Sequence, residues 1–243
     1  MSSRRRRARE AALKALYQID LTGIEVETSI RDVMADEVYL PAFESFARDF
    51  LISVAPHRAE GSPAESFARA FSHDVVVGGG AFPPDAETFR AAVLKAASDQ
   101  EYELGGCDAA ITKLFRRCSE KVASFKDLEA FTRTLVSRTV EHRVKLDELL
   151  SRFTDNWSLD RMASLDRSIL RYAVCELLHF RDIPINVTIN EAIELARKYS
   201  TDRSCEFVNG VLDKISREIK PEKDDPRARK EPPETDKGED KGH

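Results

Sequence analysis

Residues 124–153 read SFKDLEAFTRTLVSRTVEHRVKLDELLSRF. Leu128, Phe131, Leu135, Thr139, His142, Leu146, Leu149 and Phe153 recur there at steps of three or four. That period puts them on one side of a single long helix, with charged residues on the other. Such a helix is stable only when its stripe is buried, and other helices are the natural cover. Ser124 with Asp127 three positions on reads as the N-terminal cap. The stretch therefore sets the expectation of an all-α fold.

The same period continues on both sides. A short helix is expected after Trp157-Ser158, and a longer one after Ser164 with Leu165, Ile169, Ala173, Leu177 and Phe180 on one stripe. Pro184 breaks the chain. Residues 188–199 carry Ile189, Ala192, Ile193, Ala196 and Tyr199, and residues 203–218 carry Phe207, Val208, Val211, Leu212 and Ile215. Upstream, residues 4–20 read as a helix whose apolar side holds Leu13, Leu16 and Tyr17 and continues to Leu21, with alanines between. Gly23 ends it. A second helix is expected from Ser29, with Asp32 as capping partner and Ile30, Val33, Met34 and Val38 inward.

Residues 41–124 differ in character: they hold 8 of the 13 Phe, 6 of the 10 Gly and 5 of the 10 Pro. Leu51–Val54 and Val75–Val77 read as short strands or buried helix ends. Gly78-Gly79-Gly80 and Pro83-Pro84 interrupt any regular element. Residues 86–98 and 108–122 read as helices. The block is expected to be an inserted subdomain. Residues 220–243 hold 15 charged residues of 24 and no aromatic. Such a segment cannot bury enough apolar surface to offset its ordering entropy, so a disordered tail is expected.

Composition excludes several classes. No run approaches the roughly 18 apolar residues of a membrane span. No apolar segment follows the basic N-terminus, so no secretory leader is expected. Cys107, Cys118, Cys175 and Cys205 form no C-x-x-C pair. They suit a reduced cytoplasm better than a disulfide scaffold or a zinc site. The five histidines, His57, His73, His142, His179 and His243, include no H-x-x-x-H pair. There is no nucleophile-elbow or phosphate-loop motif. Neither an enzyme nor a bound cofactor or metal is expected.

The net charge of −5 hides a concentrated basic end, where Arg4, Arg5, Arg6, Arg7 and Arg9 lie within six positions. Cations at a helix N-terminus oppose the macrodipole at about 0.3–1 kcal/mol each, so the run works against its own helix. A polyanionic partner gives it a reason, because neutralising phosphates releases counterions and guanidinium pairs with phosphate through a two-point fork. A plain solvated terminus is the other reading of the charge run.

The two ends of the chain together resemble the NusB family of bacterial transcription antitermination factors. The N-terminal match is Arg4-Arg5-Arg6-Arg7-Ala8-Arg9-Glu10 followed by Ala15-Leu16-Tyr17-Gln18. The C-terminal match runs from Asn156-Trp157-Ser158-Leu159-Asp160-Arg161 through Leu165-Asp166-Arg167 and Ile169-Leu170-Arg171. It continues through Ile189-Asn190-Glu191-Ala192-Ile193-Glu194-Leu195-Ala196 to Phe207-Val208-Asn209-Gly210-Val211-Leu212-Asp213-Lys214. The resemblance implies an all-α bundle of two packed subbundles, formed by residues 1–40 and 124–220. Residues 41–123 are then an inserted subdomain of unknown fold, and residues 221–243 a disordered charged tail.

The resemblance also implies binding without catalysis. The expected partners are single-stranded boxA-type RNA, a NusE-like small-subunit ribosomal protein and the RNA polymerase antitermination complex, with no membrane and a cytoplasmic location. The RNA contacts it implies are Arg4, Arg5, Arg6, Arg7, Arg9, Tyr17, Arg203 and Phe207. The partner contacts are Phe153 and Asp166. Tyr17 and Phe207 also fit apolar stripes and read equally as core. Arg203 departs from the acidic residue of the family pattern, and Asp166 reads equally as a solvated first-turn acid. Two other readings stay open: a protein-interaction scaffold whose insertion carries the function, and a domain related to the one preceding some RNA cytosine methyltransferases. No Gly-rich unit for S-adenosylmethionine supports the latter.

Overall fold

The computed structural model describes residues 3–55, 62–72, 82–154 and 159–223, and the regular structure among them is helical, with no strand. Val75–Val77, Gly78–Gly80, Trp157-Ser158 and residues 224–243 of the expected tail lie outside the described residues. The chain divides into two compact units, residues 1–137 and 138–243.

In the first unit, α1 spans Ser3–Thr22. Ala8, Ala11, Ala12, Leu13, Ala15 and Leu16 form its buried side. Gly23 adopts φ +68° and its amide donates to the Ile19 carbonyl at 2.9 Å, which stops the helix in the left-handed conformation that glycine tolerates. The next helix starts earlier than expected. α2 spans Val26–Met34, capped by the Glu25 carboxylate, which accepts the Glu27 and Thr28 amides at 3.0 and 2.8 Å. Ser29 is not a cap. It is buried, with its hydroxyl 3.1 Å from the Ala15 carbonyl and 2.9 Å from Gln18 Oε1.

α2 then runs without a break through a wider π turn, Ala35–Tyr39, into α3, Leu40–Val54. The π turn lies directly before Pro41, whose ring clashes with the carbonyl four residues back in a regular α-helix. Leu51–Val54 is therefore the end of a helix and not a strand. α4 spans Ser62–Ser72. α5 spans Ala86–Ser98, where Asp85 caps the N-terminus by accepting the Thr88 amide.

α6 spans Asp108–Glu141. It covers both the expected 108–122 helix and the start of the 124–153 helix. Ser124, expected as a cap, is interior and donates its hydroxyl to the Lys121 carbonyl at 2.7 Å. The α2–α3 rod pairs with α6 in antiparallel register. Glu27 meets Arg133, the Tyr39 hydroxyl donates to Glu129 at 2.8 Å, and Asp49 meets Arg117 at 3.3 Å.

The Phe-rich block builds an aromatic core. Phe43, Phe50, Phe67, Phe71, Phe89 and Tyr102 bury against Ile111, Leu114 and Cys118 of α6. Phe89–Phe115 at 5.2 Å is a tilted ring pair and Phe82–Phe115 at 6.0 Å a stacked one, both within the centroid range of favourable aromatic contacts.

In the second unit the expected long helix is interrupted. His142 takes φ −95°, ψ 11°, and α7 restarts at Arg143 and ends at Phe153. A 3-10 turn, Leu159–Arg161, precedes α8, Ser164–His179. Pro184 is the N-cap residue of α9, Ile185–Tyr199, and α10 spans Asp202–Lys223, three residues into the expected tail. Every residue of α8 from Ser168 to Leu177 is buried, as befits a central helix. Its charges are partnered. Arg171 forks onto Asp147 of α7 at 2.7 and 2.9 Å, and Glu176 accepts the Thr188 hydroxyl of α9 at 2.6 Å.

Candidate nucleic-acid interface

The arginine run occupies the first two turns of α1. Arg4, Arg5, Arg6 and Arg7 are exposed. Two of them are laid against rings of α6: the Arg5 guanidinium lies 4.2 Å from the Phe131 centroid, and that of Arg7 lies 5.5 Å from the Phe125 centroid. Arg7 also donates to the Glu37 carbonyl at 3.4 Å. An exposed cation–π contact contributes about 0.5–1 kcal/mol and leaves the guanidinium edge free to fork onto an anion. The cations are thus held on a rigid backing with their charge still facing water.

Arg9 departs from the expectation. Its relative exposure is 0%, and its guanidinium lies 5.6 Å from the Phe131 ring centroid. A guanidinium with no exposed surface is not placed to meet a phosphate; here it is one of the large fully buried side chains of the core. The reason is positional: Arg9 lies four residues before Leu13 and continues the buried Leu13–Leu16 stripe.

Two turns beyond Arg9, Tyr17 is 37% exposed and Leu21 57%. Tyr17 is therefore not core, and its ring is open to a stacking partner. Lys14, between the arginines and Tyr17, pairs with Glu37 at 2.6 Å.

In the second unit, Arg203 is exposed and Phe207 half-buried. They are four residues apart on α10, and hence on one side of it. Phe153, the last residue of α7, is half-buried beneath the Arg152 guanidinium at 5.7 Å, which in turn donates to Glu218 of α10 at 2.9 Å. Asp166 is neither an open contact nor a solvated acid. It is buried and accepts the Ser204 hydroxyl at 2.8 Å, tying α8 to the first turn of α10.

Phe125, Phe131 and Lys121 were absent from the expected site. Phe131 reads as core stripe in the sequence, and only the pairing of α1 with α6 shows that it and Phe125 carry arginines. Nothing in the described residues forms a cluster of three or more metal-ligating side chains. Burial pushes the Cys118 thiol up to about 12 and that of Cys175 to about 11, so neither is a thiolate nucleophile near neutral pH. No helix among the described residues is long and apolar enough to cross a membrane.

The described residues define an all-helical protein that carries an aromatic-backed cationic helix end. The chain belongs to the NusB family, whose sequence model matches residues 92–217. It is 42% identical over 108 residues to the transcription antitermination protein NusB of Thermodesulfovibrio yellowstonii, a stretch covering 44% of this chain and 70% of that protein. It is 50% identical over 91 residues to NusB of Bacillus velezensis, covering 37% and 70%. The solved structure of T. maritima NusB aligns over 92% of this chain and 98% of that one, at 25% identity and a TM-score of 0.49. Both relatives are named as transcription antitermination proteins.

Proposed function

We propose that this chain acts in transcription antitermination in the cytoplasm, gripping boxA-type single-stranded RNA together with a NusE-like ribosomal protein and promoting read-through in ribosomal RNA operons. The observation that carries the reading is the exposed row Arg4–Arg7, with Arg5 and Arg7 braced on Phe131 and Phe125. Phosphates take the row, and Tyr17, Arg203 and Phe207 supply stacking and further charge, as single-strand binding requires. Arg9 serves from the core as a support. On the protein side, Phe153 meets the partner, while Asp166 holds the start of α10 in place through Ser204.

The test is a titration of labelled boxA-like RNA, with and without the NusE-like partner, across a range of salt. Replacing Arg5, Arg6 and Arg7 by Gln removes three phosphate contacts. At about 0.7 per contact for single strands, the slope of log K against log salt should flatten by about 2. An unchanged slope would remove the arginines from the site.

A further inference from the structure

α6 carries a second concentration of positive charge, inside the Phe-rich block. Residues 109–126 contain Lys113, Arg116, Arg117, Lys121 and Lys126 against the single acid Glu120, in a chain whose net charge is −5. Lys113, Arg117 and Lys121 are spaced by four, so they form one row of about 12 Å along the helix. Lys113 and Arg116 are exposed and Arg117 and Lys121 half-exposed.

The row is not isolated from the arginines of α1. The Lys121 ammonium lies 5.2 Å from the centroid of the Phe125 ring, the same ring against which Arg7 packs at 5.5 Å. Further along, the Arg117 guanidinium is braced 4.4 Å from the Phe46 centroid, with Asp49 at 3.3 Å. Arg117 and Lys121 are thus each steadied on an aromatic ring, as Arg5 is on Phe131. The charge runs from Arg5 through Arg7 and Lys121 to Arg117 and Lys113.

We propose that the α6 row Lys113–Arg117–Lys121 is a second phosphate-binding track, which lengthens the stretch of single-stranded RNA the protein holds. The inference rests on the RNA-binding reading of α1 and extends it into residues outside that site. A single-stranded polyanion fits better than an acidic protein surface, because the charges follow a line that begins at the arginine run and because no large apolar residue interrupts the row. One-sided loss of charge along a line is felt by a strand that reaches it, and not by a strand too short to do so.

The experiment compares labelled single-stranded RNAs of about six and about eighteen nucleotides, by fluorescence anisotropy on the full chain between roughly 0.05 and 0.5 M salt. The variant is Lys113→Gln, Arg117→Gln, Lys121→Gln. On the longer RNA it should bind ~10–100-fold more weakly at 0.1 M salt, with a slope flattened by about 2, while binding of the short RNA changes less than about threefold. The Arg5, Arg6, Arg7 variant should weaken both lengths. Because Arg117 also packs on Phe46, the double variant Lys113→Gln, Lys121→Gln leaves that contact intact. It should retain the helical circular dichroism of the parent and flatten the long-RNA slope by about 1.4. Long-RNA isotherms of the double variant that superimpose on those of the parent overturn the second track and leave the α1 site standing. Loss of a protein partner with RNA binding unchanged overturns it in favour of a protein surface. A parent chain that binds neither RNA overturns both readings.

Discussion

Arg9 and Tyr17 sit eight residues apart on one helix and exchange the roles that their chemistry suggests. The cation is fully buried and the aromatic ring is 37% exposed. Both stand four residues from Leu13 and so on one side of α1; place along the helix decides between them. Arg9 precedes Leu13 by four and shares its inward stripe, whereas Tyr17 follows Leu13 by four but lies where the cover over α1 has ended. An exposed ring beside a phosphate track is worth about 1–3 kcal/mol per stacked base. Tyr17→Ala should therefore weaken single-stranded RNA binding by about 5–150-fold without altering the salt slope, since no charge is lost. Tyr17→Phe should stay within about threefold of the parent. A Tyr17→Ala variant with unchanged affinity would return the ring to the role of an edge-of-core residue. The same logic of the stripe was available for Arg9 from the sequence, because its spacing to Leu13 is as visible as that of any leucine. It was masked by its four arginine neighbours, which share its side chain but not its burial.

The helices were legible wherever apolar residues recur at three and four, and this covers α1 and the helices from α8 to α10. Their junctions were less so, because tertiary packing decided them. Ser29-x-x-Asp32 has a capping pattern, yet the Ser29 hydroxyl is turned to Ala15 and Gln18 of α1, and Glu25 caps instead. The interruption at His142 carries no glycine or proline to mark it, and the imidazole keeps the step of the stripe. What stands at that break is a stack: the rings of His142 and His179 lie 4.5 Å apart and 16° from parallel, and Arg138 donates to the His179 carbonyl at 3.2 Å. Burial, then the neighbouring His142 and Arg138, hold His179 below its ordinary value, with Lys145 acting the same way and Glu141 opposing. The fold therefore prefers the neutral ring. Above pH about 6.5 the unfolded chain is neutral too and the full stability is present. As the pH falls, the unfolded chain takes up the proton first, so stability declines until the folded ring titrates as well. Urea midpoints measured at pH 7.5, 6.5 and 5.5 should fall with pH, and should fall less in His179→Phe, which keeps a ring in the stack. Parallel declines in the two proteins would show that this ring does not set the acid limit.

Over the whole molecule, 43 acids outnumber 38 bases, so a polyanion approaching from far away meets a repulsive charge. Close in, it meets Arg4–Arg7 and the α6 row. Which of the two governs depends on the screening length, about 10 Å at 0.1 M salt and about 30 Å at 0.01 M. At 0.1 M and above, RNA at α1 senses little beyond the cationic surface itself. With four arginines in contact the slope of log K against log salt should lie near −3, and with the three α6 cations as well near −5. Below roughly 0.03 M the field of the distant carboxylates is no longer screened, and it opposes binding while counterion release still favours it. The plot should then bend and flatten toward low salt. The bend should weaken when acids that the two rows do not include, such as Glu194 and Asp213, are replaced by Gln and Asn. Anisotropy titrations from 0.01 to 0.5 M salt read this directly. A line that stays straight to the lowest salt would mean that the acidic remainder is too remote or too well neutralised to be felt, and that the local row of cations alone sets RNA affinity at every ionic strength.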